Sequence, residues 1–119
     1  MPATITAITN QKGGVGKTTV AAALLSCLHQ RGARVLGVDL DPQGSLGFSL
    51  GLDIEHCQTI YDVFRGAAEP QDIIAHTETC DLMPSNILLS AAELEFNKPG
   101  REFLLKTALS KVQEGYDYI

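Results

Sequence analysis

Eight residues near the start of the chain, Lys12-Gly13-Gly14-Val15-Gly16-Lys17-Thr18-Thr19, restrict its fold more than any other stretch. Three glycines within four positions leave a backbone that no side chain shields, so neighbouring N–H groups can converge on one point. Before the loop, residues 3–9 alternate Ile5 and Ala7 against Thr4 and Thr6, with Ile8 following, a short β-branched run that predicts a strand. After it, Val20, Ala21, Leu24, Leu25 and Leu28 recur at i, i+4 and i+8 spacing. That spacing puts an apolar stripe on a helix over residues 17–31, and Gly32 supplies the stop. Residues 34–39, Arg34-Val35-Leu36-Gly37-Val38-Asp39, then form the nearly continuous apolar run of a strand covered on both faces. A strand, a glycine loop, a helix and a second strand in this order predict a doubly wound α/β domain. Its sheet is expected to be mostly parallel, with the ligand at the strands' carboxyl ends.

Backbone N–H groups converging at the positive end of a helix select anionic oxygens, and phosphate above all. Gly13, Gly14 and Gly16 permit the close approach, and Lys17 at the helix start can reach β- and γ-phosphate oxygens. Thr18 is placed to coordinate Mg²⁺ through its hydroxyl, and Thr19 can add a hydrogen bond to the α-phosphate. The loop from Gly13 through Val15 and Gly16 to Thr19 is therefore the candidate ATP-binding set. A chance glycine turn is a poor competitor: three glycines at fixed positions followed by Lys-Thr arise in well under roughly one chain of this size in a thousand. One departure matters. The ordinary phosphate loop has a glycine where Gln11 stands, and here an additional lysine, Lys12, precedes Gly13.

The rest of the chain continues the pattern in shorter pieces. Pro42, Gly44, Gly47 and Gly51 break any long element, so residues 41–53 should form a loop with at most a helical turn. Short helices are predicted over residues 59–64 and 71–76, the second started by Pro70. Asp81-Leu82-Met83-Pro84 reads as a brief strand. Residues 90–96 read as a helix with Ser90 as cap and Glu93 completing a capping box. A further helix over residues 100–114 places Leu105, Ala108, Leu109 and Val112 on one face. Tyr116-Asp117-Tyr118-Ile119 looks like the opening of another strand, which suggests that the sequence is the first part of a longer domain.

At 119 residues the chain can bury one core but not two. A net charge of −5 makes it a poor polyelectrolyte partner for nucleic acid, and Lys98, Arg101, Lys106 and Lys111, interleaved with Glu102 and Glu114, read as a solvated helix face. Cys27, Cys57 and Cys80 have no paired spacing, which argues against structural zinc and disulfides, and Met1-Pro2-Ala3-Thr4 show no basic region followed by a long apolar stretch. A cytoplasmic location and no membrane attachment are the resulting expectations.

Taken together, Lys12 to Thr19, Val38-Asp39-Leu40-Asp41-Pro42-Gln43-Gly44 after the second strand, and Gly115-Tyr116-Asp117-Tyr118-Ile119 resemble the ParA/Soj/MinD family of deviant Walker A ATPases. Asp-Pro-Gln-Gly, which MinD-like relatives usually lack, draws the likeness toward ParA-type chromosome and plasmid partition proteins. Met83-Pro84-Ser85-Asn86, followed by Ala91-Ala92-Glu93-Leu94-Glu95, points the same way. The resemblance implies an ATP-hydrolysing dimerisation switch of the SIMIBI P-loop class, with residues 1–119 as the N-terminal part of a single ATPase domain.

By the same resemblance, two subunits sandwich two ATP molecules, and Lys12 reaches across to the partner's phosphates in the manner of an arginine finger. Asp41 would orient the attacking water, Asp39 would support the Mg²⁺ shell, and Gly14 would leave room for close dimer contact. Lys12, Lys17 and Asp41 form the implied catalytic set, with Thr18 and Asp39 on the metal. Residues 35–39 read naively as a Walker B strand, but the family places that aspartate just beyond Ile119. Without it, this stretch of chain alone would bind nucleotide weakly or not hydrolyse it. The implied partners are a ParB-type centromere-binding protein and nonspecific DNA, the latter through basic residues in a C-terminal part beyond residue 119 and with nucleoid association in the ATP state.

Other chemistries find little support. Iron–sulfur relatives share the two-lysine loop but need bridging cysteines, and Cys27 falls within the first helix. His29, His56 and His76 have no metal-ligand spacing, and no serine sits in a nucleophile elbow. Phe64, Phe96 and Phe103 are expected in the core. The alternatives that remain are a related MinD-like or cargo-positioning ATPase and a non-hydrolysing nucleotide-binding fragment.

Overall fold

The structure, a computed structural model, describes residues 3–8, 16–95 and 103–119. Helix α1, Lys17–Gln30, follows Gly16, whose φ of 86° is the left-handed value that glycine adopts without steric cost. The helix ends as the sequence predicts. Gly32 takes a φ of 86°, its N–H donates to His29 O, and the Ala33 N–H reaches back to Leu28 O at 3.1 Å, the paired bonds of a Schellman stop.

Strand β1, Leu36–Val38, lies beside β3, Asp81–Met83, in parallel register with Leu36 opposite Asp81 and Val38 opposite Met83. The edge strand β2, Ala75–His76, runs antiparallel to β3. On the far side of β1, the C-terminal residues slot between two neighbours. Leu36 N–H donates to Tyr118 O at 3.0 Å and Asp117 N–H to Arg34 O at 2.7 Å. The opposite edge of the same segment pairs with the N-terminal one: Thr4 N–H donates to Asp117 O, Ile119 N–H to Thr4 O, and Thr6 N–H to Ile119 O. Both pairings are parallel. The order across the sheet is thus residues 3–8, residues 117–119, β1, β3, β2, and β2 alone is antiparallel.

Alternating side chains divide the core between the two faces. Leu82 joins Leu25 of α1, Val35, Leu46 and Cys80, whereas Met83 and Leu36 pack with Ile60, Ile73, Leu89 and Leu109. Leu46 belongs to α2, Ser45–Ser49. Ile60 opens α3, Ile60–Phe64, Leu89 lies in α4, Leu88–Glu95, and Leu109 in α5, Leu104–Ser110. Helices α1 and α2 therefore cover one face, and α3, α4 and α5 the other. The amino end of the sheet is tied by Asp81, whose two carboxylate oxygens meet His76 Nδ1 and the Tyr116 hydroxyl, each at 2.7 Å. Burial and that donated bond hold the Tyr116 phenol well above its ordinary pKa.

Several local expectations differ from the structure. Residues 71–76 do not form a helix: Pro70–Asp72 make one 3₁₀ turn, and Ala75–His76 then bond to β3. Pro70 starts a turn well, but sheet pairing captures the chain two residues later. Helix α4 begins before Ser90, because Asn86 Oδ1 accepts the Leu88 N–H at 3.1 Å and serves as its cap, while the Ser90 hydroxyl donates to Ile87 O. The last helix is shorter than residues 100–114 and gives way to a 3₁₀ turn at Gln113–Gly115. Ala108 and Leu109 are buried as expected, but Phe103 is 56% exposed. Phe96 lies outside the described residues. The stripe on α1 also divides: Leu25 is buried, while Val20 and Leu24 face outward.

Candidate functional site

The start of α1 offers an anion site by construction. Its first-turn N–H groups have no intrahelical acceptor, no side chain among the described residues caps them, and no acidic residue lies in the first turn. Lys17 and Thr18 are half-buried there and Thr19 is exposed. The helix sits close to the sheet because Gly37 has no side chain. A Cβ at that position would lie 2.9 Å from Leu25 Cδ1 and 3.1 Å from Leu82 Cδ1. Since α1 runs back to the start of β1 through Gly32 and Ala33, its first turn lies at the carboxyl end of β1.

At that same end, β1 delivers Asp39. The residue is 7% exposed and its N–H donates to Met83 O at 3.0 Å, which extends the β1–β3 ladder by one step. Asp39 Oδ1 accepts the Asp41 N–H at 3.0 Å, while Oδ2 is buried and, among the described residues, has no hydrogen-bond partner. Burial raises the Asp39 pKa above the ordinary carboxylate value, and the Asp41 N–H acts against that rise. The N–H groups of Leu46 and Gly47 in α2 also draw the pKa down, without completing a hydrogen bond to Oδ2.

Asp41 follows in a tight turn. Its Oδ1 accepts the Gln43 N–H at 3.0 Å and its carbonyl accepts the Gly44 N–H at 2.9 Å. The carboxylate is half-buried, with one oxygen engaged by the turn. The fold thus brings Lys17, Thr18, Asp39 and Asp41 to one end of the sheet. Lys12, Gly13, Gly14 and Val15 lie outside the described residues.

An unpartnered, buried carboxylate oxygen is costly unless something positive or hydrogen-bonding meets it. Asp39 Oδ2 therefore fits the neighbourhood of a divalent cation or one of its bound waters.

The family model described as an AAA domain matches residues 3–119. The sporulation initiation inhibitor protein Soj of Bacillus subtilis is 48% identical over 121 residues, covering 97% of this chain and 47% of Soj. This chain belongs to the ParA/Soj family of P-loop ATPases. Among solved structures, cobyrinic acid a,c-diamide synthase from Mycobacterium smegmatis with bound ATP analog and magnesium is similar at a TM-score of 0.93 and 42% identity, over 98% of this chain and 49% of that one. A plasmid partition protein from Borrelia burgdorferi is similar at 0.81 and 31% identity, over 100% and 54%. The ParA/Soj chain described here spans about half the length of the relatives it matches. Among its described residues no helix is long and apolar enough to cross a membrane.

The sequence pattern marked Asp39 and Asp41 but not what holds them. Ile54 and Ser85 carry no role in the sequence reading, and their contacts with Gly44 and Gly47 exist only in the folded chain.

Proposed function

We propose that this ParA/Soj chain binds ATP with Mg²⁺ and supplies one half of an ATP-hydrolysing dimerisation switch that acts in chromosome or plasmid partition. The observation that carries the reading is the buried, unpartnered Asp39 Oδ2 beside Asp41, at the sheet end to which the open N-terminus of α1 also points.

In this reading, the N–H groups from Gly13 to Thr19 hold the phosphates and Lys17 neutralises the β- and γ-oxygens. A bound magnesium ion would supply positive charge to offset the negative charge that develops on the phosphate oxygens. The Thr18 hydroxyl and Asp39 would hold it. Asp41 accepts a hydrogen bond from the attacking water through the carboxylate oxygen that the Gln43 N–H leaves unused, and so aims the water at the γ-phosphorus. Lys12 completes the site across a dimer, adding a second positive charge to the partner's phosphates. The same reading assigns stimulation of turnover to a ParB-type protein, and DNA binding to chain beyond residue 119.

Steady-state ATP turnover of the full-length protein, with Lys17→Ala and Asp41→Ala beside it, tests the assignment. Lys17→Ala should weaken nucleotide binding, and Asp41→Ala should retain binding while losing roughly a hundredfold or more in kcat. Nucleotide binding with no turnover above these variants would replace the switch by a non-hydrolysing nucleotide-binding protein.

A further inference from the structure

The Asp41 turn is held by contacts that come from outside the glycine loop. Gly44, at the end of the turn, has a φ of 66°, and a Cβ there would lie 2.6 Å from the Ser85 carbonyl oxygen and against Ile54 Cδ1. One turn of helix later, a Cβ on Gly47 would lie 2.8 Å from Ile54 Cγ2. Two glycines three residues apart thus form a notch, and the forked side chain of Ile54 fills it. Ile54 is itself anchored from behind. Its carbonyl accepts Asn86 Nδ2 at 3.0 Å, and Asn86, 7% exposed, uses its Oδ1 to cap α4.

We propose that Ile54 is a positioning residue for hydrolysis. Seated in the Gly44–Gly47 notch and tied to α4 through Asn86, it sets the turn whose closing bond, Gly44 N–H to Asp41 O at 2.9 Å, orients the Asp41 carboxylate. The inference rests on the reading of Asp41 as the group that aims the attacking water. The device is geometric: it contributes no charge and touches no phosphate. Its loss moves Asp41 by a fraction of an ångström, a displacement to which in-line attack is sensitive.

The experiment compares full-length wild type with Ile54→Val, Ile54→Ala, Gly47→Ala and the Ile54→Ala/Gly47→Ala double variant, with Asp41→Ala as reference. Turnover, affinity for a fluorescent ATP analogue and Tm are measured for each. Ile54→Val, which removes only Cδ1, keeps the fold safe and should lower kcat about threefold, and Ile54→Ala should lower it roughly tenfold. Analogue affinity should stay within about twofold in both. Gly47→Ala should lose turnover through its collision with Cγ2, and the double variant, whose added methyl occupies the vacated notch, should recover most of it. Unchanged kcat in Ile54→Ala overturns the proposal, as does a kcat that falls in step with affinity and Tm and does not recover in the double variant. If Asp41→Ala turns over like wild type, the reading of Asp41 fails first and takes the notch with it; if Asp41→Ala is inactive and Ile54→Ala is not impaired, the notch alone fails.

Discussion

The burial of Asp39 carries a cost in stability. A carboxylate whose folded pKa is raised by burial gives the unfolded chain the more acidic group, so native stability falls as pH rises from the ordinary carboxylate range through the folded value. Below that range both states are protonated and the penalty vanishes. Asp39→Asn keeps an oxygen for the Asp41 N–H and removes the charge. In the presence of a chelator, thermal denaturation should therefore give the variant a higher Tm than wild type at neutral pH, with the difference shrinking toward zero as the pH falls below about 4. Equal Tm values at neutral pH would mean that the Leu46 and Gly47 N–H groups already compensate the carboxylate. The exposed Arg34–Asp117 pair, by contrast, lowers the Asp117 pKa at the surface, where such pairs add little.

At the level of elements, the site depends on how closely α1 approaches the sheet. Gly37→Ala would push a methyl group into the terminal carbons of Leu25 and Leu82, both buried, and overpacking of this kind costs about 1–3 kcal/mol. Chemical denaturation should register that loss with little change in m-value. The sequence pattern captured the long elements well: α1 follows its predicted range to within a residue, and β1 and β3 stand where apolar runs placed them. It failed where two local preferences competed. Ser90 has the residue type of a cap, yet Asn86 makes the capping bond, because Asn86 is also fixed by its bond to the Ile54 carbonyl. Residues 71–76 follow the helix-starting Pro70, yet the open edge of β3 takes the chain into a strand.

Across the whole molecule, the segment that ends at Ile119 is an internal row of the sheet rather than a fringe. Its backbone bonds to residues 4 and 6 on one side and to 34 and 36 on the other are the link between the N-terminal segment and β1. Removing residues 116–119 should therefore abolish a cooperative thermal transition, since each lost backbone bond is worth about 1 kcal/mol net against a domain stability of about 5–15 kcal/mol. A sharp, wild-type-like melt followed by circular dichroism would contradict this. The same deletion removes the Tyr116 hydroxyl from Asp81, so the amino end of the sheet would loosen as well.

What the sequence determined by itself is residue type and spacing: a glycine-rich stretch with two lysines, two aspartates spaced one residue apart after an apolar run, and the periodicities that make an α/β domain. These are local properties, fixed by which dihedrals a residue tolerates and which side chain faces apolar neighbours. The tertiary structure decided what is paired with what. Only the folded chain leaves Asp39 Oδ2 buried without a partner, inserts the last residues between the first segment and β1, and seats Ile54 against Gly44 and Gly47. Each of those depends on contacts between residues far apart in sequence, and no local preference encodes the distance between them.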